Sequence, residues 1–182
     1  MQDSLEVLAY DPAWPLQFEA ERQCLQAALG ELALRIDHNG STAVPGLAAK
    51  PVIDIQISVR TLVPIDAYRI PLQMLGYQHV PHADDAFCPF FHRPEVWPHT
   101  HHVHVVEAGG EEERRTLAFR DYLRDHADVR AAYAALKARL APQFSGRTID
   151  SRQAYADAKG EFIEHIIKSA LAAGYPCDTL SV

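Results

Sequence analysis

The chain has 182 residues, 48% of them apolar and 23% charged, with a formal net charge of −7 when its ten histidines are counted neutral. This is the composition of a soluble globular domain long enough to bury a core, and its acidic balance argues against coating extended nucleic acid by charge alone, though not against a local basic pocket for one nucleotide. Cys24, Cys88 and Cys177 form neither a disulfide framework nor a Cys-x-x-Cys zinc pattern, no basic-then-apolar leader opens the chain, and no apolar run approaches the ~18 residues of a membrane span, so a cytoplasmic setting is expected.

In chain order, residues 5–9 read as a short strand. A helix follows, with Asp11 as N-cap and Pro12 at its first position. Phe18, Leu25 and Leu29 form its apolar stripe, the stem of Arg22 fills the turn between them, and Gly30 stops it. Residues 32–38 alternate as a half-buried strand, Leu32, Leu34, Ile36 and His38 on one side, and lead into Gly40-Ser41-Thr42. Val44-Pro45-Gly46-Leu47 has the residues of a type II turn. A strand is expected over 51–59, then a helix over 61–75 interrupted near Pro71 and ended by Gly76. Strands over 77–80 and 86–92 flank a polar turn, and 101–107 alternates once more.

After Gly109-Gly110 the pattern becomes helical: 111–124 with acids first and bases later, 129–140 with Val129, Ala132, Tyr133, Leu136 and Leu140 inward, and a last helix launched by a capping box from Asp150 to Gln153. The expected organisation is one domain over 1–182, mixed α/β to about residue 108 and helical from about 109.

Three constellations carry chemistry. Gly40-Ser41-Thr42 offers free backbone N–H groups and two hydroxyls, the equipment for a phosphate oxygen, although the same residues make an ordinary turn anywhere. In the strand after it, Asp54 stands among Val52, Ile53, Ile55 and Ile57, and a carboxylate there needs a metal, a cation or a hydrogen bond. Asp54 and Gln56 face the same way; two-metal nucleotidyl transfer places carboxylates at both positions, and an amide at the second weakens the hold on Mg²⁺ or Mn²⁺.

In Pro98-His99-Thr100-His101-His102-Val103-His104, His102 and His104 share a face, where two imidazoles can ligate Zn²⁺, Ni²⁺ or Fe²⁺ with Asp54 as the third donor, Glu107 pointing the other way. The alternative is a strand whose histidines hydrogen-bond in a polar cleft, with His99 and His101 exposed. Lys50, Arg93, Arg114, Arg115, Arg120 and Lys159 are the candidate anion partners, Lys50 foremost, and Trp14 and Trp97 read as packing residues.

The segments YDPAWPLQFEAE, RIDHNGSTAVPGLAAKPVIDIQISV, HHVHVV, LAFRDYLRDH and YADAKGEFI, in that order from about Val7 to Ile167, resemble the GrpB family. The resemblance implies an α+β, nucleotidyltransferase-like fold: a mixed sheet flanked by helices. It also implies kinship with a domain fused to dephospho-coenzyme A kinase in some bacteria, where it is linked to folding of its partner. Carried over, Gly40 and Ser41 match the nucleotide-site turn and Asp54 the first acidic, catalytic position. Gln56 stands where active transferases carry a second acid, and His102 and His104 where they carry a third. That departure leaves open a different metal, a different reaction or pure ligand binding.

The expectation is therefore a transferase-like cleft for a phosphate-bearing small molecule, a nucleotide foremost. Asp54 would bind metal (Mg²⁺, Mn²⁺ or Zn²⁺) with His102 or His104. Gly40, Ser41 and Thr42 would grip phosphate, and Lys50, Gln56, Arg120 and Lys159 would line the ligand. The rivals are a metal-dependent hydrolase built on the His/Asp trio and a non-catalytic module that meets a protein partner.

Overall fold

The computed structural model describes residues 6–144 and 148–177. Its centre is a five-stranded mixed sheet in the order β1-β2-β5-β4-β3, built from β1 (Arg35–Asn39), β2 (Ile53–Val59), β3 (Gln78–Val80), β4 (Phe90–Arg93) and β5 (His101–Glu107). Only β2 and β5 run parallel. They are also the strands with the longest buried apolar runs, as parallel neighbours buried at mid-sheet require.

One face of the sheet is hydrocarbon. Ile53, Ile55, Ile57, Val59, Val103, Val105 and Phe91 form one buried cluster with Trp14, Leu25 and Leu29 of α1 (Trp14–Leu29) and Tyr68 and Leu72 of α2 (Asp66–Met74). The side-chain period of two puts the polar residues of the same strands on the opposite face. There they form transverse rows set by the register: Asn39, Asp54, His102 and His92 in one, Asp37, Gln56, His104 and Phe90 in the next.

Helix α3 (Glu111–Asp125) lies across part of that polar face, and its side chains answer the strand residues beneath it. Ser58 hydrogen-bonds Glu113, Thr116 meets Gln56, and Arg120 reaches Asp37. Helices α4 (Ala127–Leu140) and α6 (Gly160–Ala172) pack on α3 and clamp the loop after Ser41 through Val44, Leu47, Leu123, Tyr133 and Phe162. Among the described residues no helix is long and apolar enough to cross a membrane.

The expected mixed sheet with a helical C-terminal part is therefore present, with local corrections. Residues 6–9 contribute a single bridge, Leu8 to Ala49, where a strand was expected; residue 5 lies outside the described residues. Helix α1 begins at Trp14, not at Pro12, because Asp11 Oδ1 accepts from the Ala13 N–H (2.8 Å) and holds a turn ahead of the helix. The type II turn at 44–47 forms, with the Leu47 N–H on the Val44 carbonyl at 3.1 Å and Gly46 at φ 78°. Residues 83–86 are a 3-10 turn, and β4 starts only at Phe90. The expected last helix is two: α5 (Ile149–Asp157), capped by Thr148 where Asp150 was expected, and α6, with Lys159 at the break between them.

Candidate functional site

Asp54 is the second residue of β2, so it sits where α3 no longer covers the polar face. Its side chain keeps 31% exposure and that of His102 18%. Gly40, at φ 66°, makes the close approach possible: a Cβ there would fall 2.8 Å from Asp54 Cβ and nearer still to Oδ2. The Gly-Ser turn and the aspartate are thus packed against each other, as their spacing suggested.

Burial pushes the Asp54 carboxyl up, but a hydrogen bond from His102 and the positive field of Lys50 help to outweigh it and hold the group below its ordinary range. Asp54 Oδ1 takes His102 Nδ1 at 3.2 Å. In the neutral ring with that proton on Nδ1, His102 Nε2 is an acceptor, and His99 Nδ1 lies on it at 3.1 Å. His99 in turn stacks on His92 with ring centroids 3.8 Å apart. The carboxylate therefore fixes the tautomers of two successive imidazoles, an arrangement able to pass a proton along three groups. His99, exposed in the alternative reading of this strand, is half-buried and belongs to this hydrogen-bonded run, and His101 meets Arg93 at 3.3 Å.

His104 lies one row further in. Burial pulls its imidazole down to about 4 although Asp54 opposes that, so it is a neutral ring at pH 7. Its Nδ1 faces Cys88 Sγ at 3.7 Å, and burial pushes that thiol up to about 12. Gln56 is sealed: it is wholly buried, its Oε1 takes both Asn39 Nδ2 (3.2 Å) and the Thr116 hydroxyl, and among the described residues its Nε2 has no partner. The expectation of Gln56 as a ligand contact is corrected by the helix lying over it.

Two further expected contacts are committed elsewhere. The Thr42 hydroxyl is buried between His38 Nε2 (3.0 Å) and the Val52 carbonyl (3.2 Å). Arg120, only 7% exposed, is held by Asp37, Asp121 and the His38 carbonyl, so its charge is spent on β1 and on its own helix.

What converges on Asp54 is lysine. Lys50 and Lys159 lie over one aromatic ring, Tyr155, at 5.5 and 4.3 Å from its centroid. Lys137 of α4 donates to Ser41 Oγ at 3.1 Å and to the Ala48 carbonyl, 4.7 Å from the Tyr133 ring. Burial depresses all three ammoniums, Lys137 to about 7 and Lys159 to about 8; Lys50 lowers the other two, Lys159 lowers Lys137, and Asp54 raises each. Arg152, over Trp97 at 4.2 Å, adds its field to His99 and Lys50.

Lys137 was not among the expected anion partners. Its sequence signal is a lysine four residues after Tyr133, on the inward stripe of an amphipathic helix, where a charge needs a reason to be.

Two hollows lie elsewhere and contain none of these residues. One, of about 320 Å³, is bordered by Leu62, Phe87, Glu107 and Glu112; the other, of about 1130 Å³, by Leu29, Leu34, Val59 and Val63. Neither brings together a nucleophile, an acid–base pair or a cation cluster.

Fold and site together define an α+β protein whose sheet leaves one polar row open, ringed by lysines supplied from the loop and the C-terminal helices. The GrpB protein family model matches residues 4–169, and the chain belongs to the GrpB family. It is 42% identical to the UPF0157 protein PA4798 of Pseudomonas aeruginosa over 178 residues, covering 94% of this chain and 69% of that one. Over 165 residues it is 36% identical to a dephospho-CoA kinase of Mycolicibacterium paratuberculosis, covering 78% of this chain and 40% of that one. The crystal structure of the conserved protein GrpB from Enterococcus faecalis superposes with a TM-score of 0.81 at 36% identity, over 92% of this chain and 98% of that one.

Proposed function

We propose that the site around Asp54 binds a phosphate-bearing small molecule, a nucleotide foremost, and that the chain is a nucleotidyltransferase-like protein with a degenerate acidic motif, working in the cytoplasm. One observation carries the reading: Lys50, Lys137 and Lys159 are drawn toward a single carboxylate beside a Gly-Ser turn. Three ammoniums against one aspartate leave an unbalanced positive cluster. Burial makes that imbalance costly, and a polyanion relieves it.

In this reading Gly40 and Ser41 border the phosphates, with Lys137 anchored on Ser41 Oγ. Lys50 and Lys159 neutralise charge on the phosphate oxygens. Asp54, His102 and His99 form a hydrogen-bonded run that would carry away the proton of an acceptor hydroxyl. Calorimetric titration with ATP, GTP, CTP and UTP tests the binding step. At least one is expected to bind, and Lys159→Met to weaken it about tenfold. No heat from any of the four with folded protein removes the reading.

A second reading, a module that assists the folding of a partner, is supported by the match to a dephospho-CoA kinase. The refolding yield of such a kinase, measured with and without this chain, tests it; an unchanged yield removes it.

A further inference from the structure

We infer that this site holds its polyphosphate with fixed ammonium groups in the place where a divalent cation would stand; the inference rests on the phosphate-binding reading above. The donor set decides it. Mg²⁺ and Mn²⁺ are held by charged or carbonyl oxygens, commonly two carboxylates on neighbouring positions. Here the transverse row through Asp54 offers one carboxylate, flanked by the amide of Asn39 and the imidazole of His102. The next acidic position is Gln56, whose carbonyl oxygen already accepts from Asn39 and Thr116 beneath α3.

The imidazole alternative fits no better. Both nitrogens of His102 are engaged, one by Asp54 and one by His99, and His104 is turned to Cys88. Among the described residues no three His, Cys, Asp or Glu side chains are grouped as a metal's ligands. The residues present therefore do not fit the metal that the nucleotidyltransferase-like reading implies.

Cationic side chains stand around the same carboxylate instead. Lys137 is 3% exposed, and the Ser41 hydroxyl and Ala48 carbonyl fix its position. Lys50 and Lys159 share the Tyr155 ring, which holds two like charges within reach of one anion. A dication added to this cluster would raise a positive charge that already exceeds the negative. A phosphate chain would lower it. The ammoniums are pre-placed by packing, so the ligand need not bring its own cation.

The test is a calorimetric titration of tripolyphosphate into the full chain at pH 6.5, once in EDTA and once in excess Mg²⁺. Binding in EDTA as tight as in Mg²⁺, or several-fold tighter because the ion shields the ligand, is the expected result. A tightening of tenfold or more by Mg²⁺ overturns the inference while leaving the phosphate-binding reading intact. Absence of binding in both buffers, with folded protein, removes both.

The Asp54→Asn variant adds an independent arm because it keeps the side chain's shape. In an ammonium site it removes a repulsive charge, and the EDTA affinity should rise about threefold to tenfold. A tenfold loss in Mg²⁺ that is absent in EDTA, with the circular dichroism spectrum unchanged, would identify Asp54 as the anchor of a cation and overturn the proposal.

Discussion

The two faces of the sheet use the same strands for opposite purposes. On the face under α1 and α2, burial alone suffices: Ile53, Ile55, Ile57, Val103, Val105 and Phe91 are at most 1% exposed and ask only for hydrocarbon neighbours. On the other face nearly every side chain needs a specific answer. Ser58 finds Glu113, Asp37 finds Arg120, and Asp54 finds His102. α3 supplies those answers along most of its length, and where it stops, the row of Asp54 is left to the loop and to α4–α6. The contrast points to the row of Asp54, where a lysine cluster stands on a stretch of polar face that α3 does not cover.

Substitutions should separate the faces. The largest effect expected is on the oily side: Phe91→Ala removes a wholly buried ring and should cost about 3–5 kcal/mol in chemical denaturation. Phosphate affinity of the folded fraction should be unchanged. A comparable loss of affinity without loss of stability would break the division.

Acid should find the polar exception on that same side. His38 is 7% exposed, stacked on Phe18 at 4.7 Å, and burial pulls its imidazole to about 4 from an ordinary 6.5. Only the unfolded chain then takes the proton as pH falls from 6.5 toward 4, so stability present above 6.5 is lost across that window, on the order of 2–3 kcal/mol by linkage. Urea titrations at pH 7 and 4.5 should show a smaller drop in His38→Gln than in the parent chain.

On the polar side, Gly40→Ala places a methyl group against Asp54 in a left-handed backbone conformation and should cost about 1–3 kcal/mol. It should also weaken phosphate binding more than tenfold, because it shifts the turn that carries Ser41. Retained affinity would sharpen the account by moving the ligand away from the turn. The smallest effect expected is that of Arg152→Ala, a few-fold loss of affinity at low salt that fades as ionic strength rises.

Much of this was legible in the chain. Alternation gave β5 its full extent, and the Gly-Ser turn and Asp54 could be paired because the turn follows one strand and Asp54 opens the next, with a single loop between them. What could not be read was long-range. Gln56 and Asp54 are equivalent by period, and only the passage of α3 over one of them makes the first structural and the second reachable.

Arg120 looked available for a phosphate because its partner, Asp37, lies 83 residues away. Lys137 was not named among the anion partners, and only the packing of α4 shows its ammonium on Ser41 and the Ala48 carbonyl. The break at Lys159 went unseen for another reason: Ala158 favours helix and only Gly160 hints at a stop, whereas the Thr148 cap lies just ahead of the expected Asp150.

The most direct measurement is an NMR pH titration of the lysine side-chain signals, with and without tripolyphosphate. Without ligand, Lys137 and Lys159 should titrate near 7 and 8, far below the ordinary 10.5. A bound polyanion stabilises the protonated forms, so both should move up by a unit or more, and affinity should fall as pH rises from 6.5 to 9. Lysines that titrate at ordinary values and ignore the ligand, in a folded chain, would contradict the account.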